Sequence, residues 1–378
     1  MQLSNEDNLR LNVLLSQTLR AIRINESTMT VYALTDKGEA KVVLNPTLRD
    51  EQYLRLVREL LSLKITGSPG GYPVFIKRWT RMGHTDNTLE HMLLLGEPEA
   101  VVAVVHATDL SHDIGVRAWW ANPTTEVAMR LMEYPAVAQG ELGKELADYL
   151  MEFLPFEETQ LNIVNMVRLC LQSGLLDEDE RQALWARAKR RNPFYVGFAH
   201  ADPAQIPLDQ SAHDLLNDIS KQLKPLVEND NVYAITLCDL LSDKGQKWLN
   251  TLKLSLKKPV DQDVVISLFT AISQYFKLPL CDPRGQREIE MAISYSNQLC
   301  SKPNDETIKK PNKELSTLIN TLAPNHLSLI DAMLVLAQLG EHTLIPIFSG
   351  NESVGTVMRK RLLPLTTPLL EKVDILIQ

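Results

Sequence analysis

Positive charge interleaved with an indole stands out first among the side chains that could carry chemistry: Lys77, Arg78, Trp79, Thr80 and Arg81 follow one another. Such a run can hold a single-stranded nucleic acid by charge and stacking, or seat an acidic partner protein. On a strand, Arg78 and Thr80 face one side while Lys77, Trp79 and Arg81 face the other, so Trp79 can equally be a core residue flanked by solvated charges. The adjacent indoles Trp119 and Trp120 cannot both point to one side of a helix. One is expected inside and the other on a contact surface or lid. Lys77, Arg78, Trp79, Arg81, Trp119 and Trp120 are therefore the candidate partner-binding residues. A second basic run, Lys189, Arg190 and Arg191, closes a helix, where cations complement the macrodipole. Lys257 and Lys258 serve as an exposed reference pair, expected to lie away from any binding face.

Other constellations fall short of chemistry. Gly67, Ser68, Pro69, Gly70 and Gly71 invite a phosphate-loop reading, but Tyr72 and Pro73 follow where Gly-Lys-Ser/Thr should open a helix. A plain connecting loop is expected. His84 and His91 stand seven apart without a carboxylate or cysteine to complete a metal site, and His-Glu-x-x-His is absent. Gly350 to Gly355 departs from the nucleophile-elbow pattern, and Ser255 with Lys258 matches a two-residue motif that recurs by chance. Asp261 and Asp263 sit where acidic residues suit a helix N-terminus. The cysteines Cys170, Cys238, Cys281 and Cys300 are far apart and are expected as reduced, buried thiols. No catalytic residue, metal or cofactor is expected.

The chain of 378 residues is long enough for two or three domains, and its 44% apolar and 23% charged content is that of a globular protein. A net charge of −8 argues against a dedicated nucleic-acid binder. That charge is uneven: residues 1–95 carry +2, 96–205 carry −8 and 206–378 carry −2. The first residues are polar and acidic rather than basic and then apolar, so no export signal is expected. The most apolar windows, 100–105 and 327–339, fall short of the roughly 18 residues a membrane span needs. A cytoplasmic location is expected.

The elements that must position these residues read as mainly α. A small α+β head is expected over 1–85. It starts with a helix at 5–15, followed by strands at 21–24, 30–34 and 39–44 with a turn at Asp36, Lys37 and Gly38. An amphipathic helix over 50–63 and a strand over 74–80 complete it. Short helices with tight breaks follow, as in an α-solenoid-like array or a helical bundle. Domains are expected at 86–205 and 206–300, with a linker at 301–313 and a helical block at 314–378. Asn122 before Pro123 reads as a helix N-cap, and Asp177 with Glu180 as a capping box.

Several blocks taken together carry a family resemblance. They are Arg49 to Arg55, Gly67 to Val74, Arg78 to Gly83, Leu93 to Val105 and Arg117 to Trp120. The chain resembles the DsrS family, soluble proteins encoded with the dissimilatory sulfite reductase (Dsr) genes of sulfur-oxidising bacteria. The resemblance is clearest over about residues 5–200. It implies a cytoplasmic protein without demonstrated enzymatic activity, linked to the supply or control of the Dsr proteins, and it transfers no site residues. The function expected is thus a non-catalytic accessory or regulatory protein that binds another protein of that system. The alternatives are an RNA-binding regulator using the basic head, and a cryptic enzyme or cofactor carrier with a pocket between domains.

Overall fold

The computed structural model describes residues 2–67, 86–172, 174–279, 288–301, 313–349 and 354–377. The protein is mainly α, with a small three-stranded antiparallel sheet near the N-terminus. Its contacts divide it into two compact units, Met1–Phe153 and Leu154–Gln378. That division falls inside the 86–205 span expected to form one domain.

In the first unit, helix α1 (Asn5–Leu15) is capped by Ser4, whose hydroxyl accepts from the Asp7 amide. Strands β1 (Leu19–Asn25), β2 (Thr30–Thr35) and β3 (Gly38–Val43) pair in order β1-β2-β3. The second hairpin turns through Asp36 and Lys37, with Thr35 paired to Gly38. Gly38 adopts φ 109°, which a side chain would oppose. Helix α2 (Asp50–Thr66) lays Tyr53, Leu54, Val57 and Leu61 against Leu11, Ile22 and Val31. Its spacing had marked that buried stripe in advance. The strand expected over 74–80 lies outside the described residues.

Helices α3 (Asp86–Leu93), α4 (Pro98–Val105), α5 (His112–Ala121), α6 (Thr125–Leu131), α7 (Pro135–Ala138) and α8 (Glu141–Phe153) complete this unit. Helices α3 and α5 pack on β1, so the sheet is covered by the segments that follow the expected head. One capping assignment is corrected. Asn122 is the C-cap of α5, and Thr124 caps α6 by accepting from the Val127 amide. Pro123 precedes the N-cap and so cannot be a first-turn proline.

The second unit is a helical bundle. Helices α9 (Gln160–Cys170) and α10 (Glu178–Ala188) lead to α11 (Asn192–His200), which is buried at Phe194, Val196, Gly197, Phe198 and Ala199. The expected capping box of α10 is present in both bonds, Asp177 to the Glu180 amide and Glu180 back to the Asp177 amide. Beyond these come α12 (Leu216–Val227), α13 (Val232–Leu241), α14 (Asp243–Lys257) and α15 (Gln262–Tyr275). The remainder is α16 (Ile289–Ser301), α17 (Lys313–Thr321), α18 (Leu327–Ala337), α19 (Ile345–Phe348) and α20 (Gly355–Leu376). Between α16 and α17, residues 302–312 of the expected linker lie outside the described residues.

Helix α11 packs against α9, α10, α14 and α15 together. A helix enclosed on several sides belongs to a bundle; a solenoid would stack each helix on its sequence neighbours. Two hydrogen bonds staple α11 to α14 at opposite ends. Asn192 Nδ2 donates to the Ser255 carbonyl at 2.8 Å, and Trp248 Nε1 donates to the Ala199 carbonyl at 2.9 Å. Among the described residues no single helix is long and apolar enough to cross a membrane.

Candidate functional site

Four helix ends meet around one cavity of about 620 Å³ in the second unit. Helix α10 stops at Ala188 and α11 starts at Asn192, leaving Lys189, Arg190 and Arg191 in the tight connection. Helix α14 ends with Lys257 and Lys258. The first turns of α20 bring Arg359, held near by the Gly355 amide donating to the Val260 carbonyl at 3.1 Å. All six cations line the cavity, and among the described residues its lining contains no Asp or Glu.

The cations fall into two kinds. Arg191 and Arg359 are half-buried and held in place. Arg191 Nη2 donates to the Glu157 carbonyl at 3.0 Å, while Arg359 donates to the Pro259 carbonyl at 3.2 Å and to Thr356 Oγ1 at 3.0 Å. Lys189, Arg190, Lys257 and Lys258 are exposed, and none forms an ion pair among the described residues. Helix-dipole complementarity accounts for one or two cations at each C-terminus. It does not account for six that converge with no carboxylate among them.

The wall beneath them is partly apolar, formed by Ala188, Pro193, Leu254 and Val260. Tyr195 adds a half-buried ring set edge-on to Trp185 at 5.1 Å. Burial pushes the Tyr195 phenol above its ordinary pKa, so it stays a neutral hydroxyl. Asn192 is only 9% exposed, and its Oδ1 is buried without a partner while Nδ2 is committed to Ser255. A buried acceptor without a donor costs about 1–3 kcal/mol. The α11 N-terminus, whose N-cap residue Arg191 makes no side-chain capping bond, adds its positive dipole end to the same cavity. The arrangement is built to attract negative charge. Among the described residues the lining holds no carboxylate, histidine or thiol.

The residues singled out from sequence are placed unevenly. Lys77, Arg78, Trp79 and Arg81 lie outside the described residues. Trp119 is inside, donating to Glu145 Oε1 at 2.7 Å and meeting Tyr149 edge-on at 4.9 Å. Trp120 is half-buried, donates to Glu39 Oε2 at 3.1 Å and lies under the Arg23 guanidinium at 4.8 Å. Arg23 is also 4.9 Å from the Tyr32 ring, and these two line a cavity of about 550 Å³ in the first unit. Ser255 donates to the Thr251 carbonyl inside its helix, so it is no nucleophile for Lys258. Asp261 caps α15 by accepting from the Val264 amide. Cys170, Cys238 and Cys300 are free thiols, and burial pushes Cys300 up to about 12.

The reference pair Lys257 and Lys258 lies on the wall of the basic cavity, together with the helix-closing run 189–191. The signal that could have found the site was the presence of several basic runs inside an acidic chain. Compared with protein-family models, with curated proteins and with solved structures, the chain matches none of them.

Proposed function

We propose that this protein is a non-catalytic binding protein whose working site is the basic cavity of the second unit. There it recognises a group bearing several negative charges. The observation that carries this reading is the convergence of Lys189, Arg190, Arg191, Lys257, Lys258 and Arg359 on one cavity with no carboxylate in its lining among the described residues. In a chain of net charge −8, such a cluster stays in place at the expense of mutual repulsion, which a bound anion relieves. The resemblance to the DsrS family supplies a setting for the proposal. In that setting the protein is a cytoplasmic accessory or regulator of sulfur oxidation, acting through contact with another protein of the Dsr system.

The test is thermal unfolding with inorganic pyrophosphate as probe. At a hundredfold excess over its Kd a ligand adds about 2.7 kcal/mol, which for a unit of this size raises Tm by about 5–10 °C. The Lys257→Glu/Lys258→Glu variant should lose most of that shift. The Lys37→Glu/Lys41→Glu variant, on the exposed face of the second hairpin, should keep it. A protein that pyrophosphate does not stabilise, or a cavity variant that responds like wild type, overturns the reading.

A further inference from the structure

We propose that the basic cavity takes a small molecule that joins two or more phosphate groups to an uncharged, largely apolar portion, a nucleoside di- or triphosphate being the simplest fit. This deepens the anion-recognition reading and rests on it. Two features at different depths define the class.

Four exposed cations surround the rim, and they ask for more charge than one carboxylate or sulfate carries. Arg191 and Arg359 are already oriented by carbonyl acceptors, Arg191 through one N–H and Arg359 through two. A guanidinium has five N–H donors, so each keeps enough for bidentate contact with phosphate oxygens. Holding these groups beforehand lowers the entropy lost on binding.

Beneath the rim, Pro193, Leu254, Val260 and the Tyr195 ring offer an apolar surface to the uncharged body of such a ligand. The volume of about 620 Å³ lies within the range of about 300–1,000 Å³ usual for small-molecule sites.

The experiment is calorimetric titration of the full chain, without magnesium, with pyrophosphate, ADP, ATP and a single-stranded oligoadenylate. The nucleotides should bind at least about tenfold more tightly than pyrophosphate, as burying part of the nucleoside against the apolar wall allows. The Lys257→Glu/Lys258→Glu variant, altered only at exposed positions, should weaken both by more than about tenfold and keep its Tm. Should pyrophosphate bind as tightly as the nucleotides, the nucleotide assignment falls and anion recognition stands. Oligoadenylate binding more tightly than ATP likewise overturns the small-molecule assignment. If no anion binds, both readings fall.

Discussion

Replacing Gly197 by Ala tests the helix on which the basic cavity is built. Gly197 lies midway along α11, where the helix crosses α9. An added Cβ would stand 2.6 Å from both Cβ and Cγ1 of Val167 and 3.1 Å from the Val164 carbonyl oxygen. Carbon atoms prefer about 3.5–4.0 Å, so the two helices must part by about 1 Å. No rotamer of Val167 relieves this, because its Cβ moves only with the backbone. Overpacking of this kind costs about 1–3 kcal/mol. Ala recovers up to about 1 kcal/mol over Gly through helix propensity. The net loss should be about 1–2 kcal/mol, which for a domain of 150–250 residues lowers Tm by about 2–8 °C. Denaturant titration should show a lower midpoint with an unchanged slope. A variant that is as stable as wild type, or more so, would refute the close α9–α11 approach.

Two further perturbations probe the same unit. His200 bonds Ser267 at 2.9 Å and Gln274 at 3.3 Å, and burial lowers its pKa below the ordinary 6.5. His213 is lowered by burial in the same way. The unfolded chain therefore takes these protons first, so stability holds above about 6.5 and declines as pH falls below it. Chemical denaturation between pH 5.5 and 7 should show that slope, and a His200→Gln/His213→Gln variant that retains it would refute the assignment. Lys372 Nζ lies 2.6 Å from Oδ2 of Asp331, a residue only 8% exposed. Lys372→Met strands that carboxylate and should cost about 3–5 kcal/mol. Adding Asp331→Asn should recover most of it, and a pair of equally unstable variants would show that the ion pair is not the cause.

The basic cavity also bears on how charge is organised in this protein. Elsewhere, arginines find carboxylates: Arg117 bridges Glu90 and Asp113, Arg20 meets Asp36, and Arg181 meets Glu178. These pairs are largely solvated on the carboxylate side and each contributes little. The cations around α11 differ in having none among the described residues, although acidic residues are in excess over the whole chain. Such a cluster attracts anions over roughly 8 Å at physiological ionic strength, so binding there should weaken as salt rises.

What the sequence determined by itself was local. Helix α1, the second hairpin and the stripe of α2 follow from capping, turn chemistry and a 3.6-residue period, each acting within a few residues. The capping box at Asp177 and Glu180 is of the same kind. The elements it missed are those in which surroundings override local preference. Helix α11 is buried nearly all round, so it has no polar face to set a period. Helix α20 runs through Pro364 and Pro368, residues that disfavour a helix interior, because Met358, Leu362, Leu365, Leu369 and Val373 bury against its neighbours. The same limit applied to the site. Lys189 to Arg191, Lys257 with Lys258, and Arg359 are each explained singly by helix ends or by solvent. Only the packing of α10, α11, α14 and α20 brings them round one cavity, because convergence of distant segments is a property of tertiary contacts that no local pattern encodes.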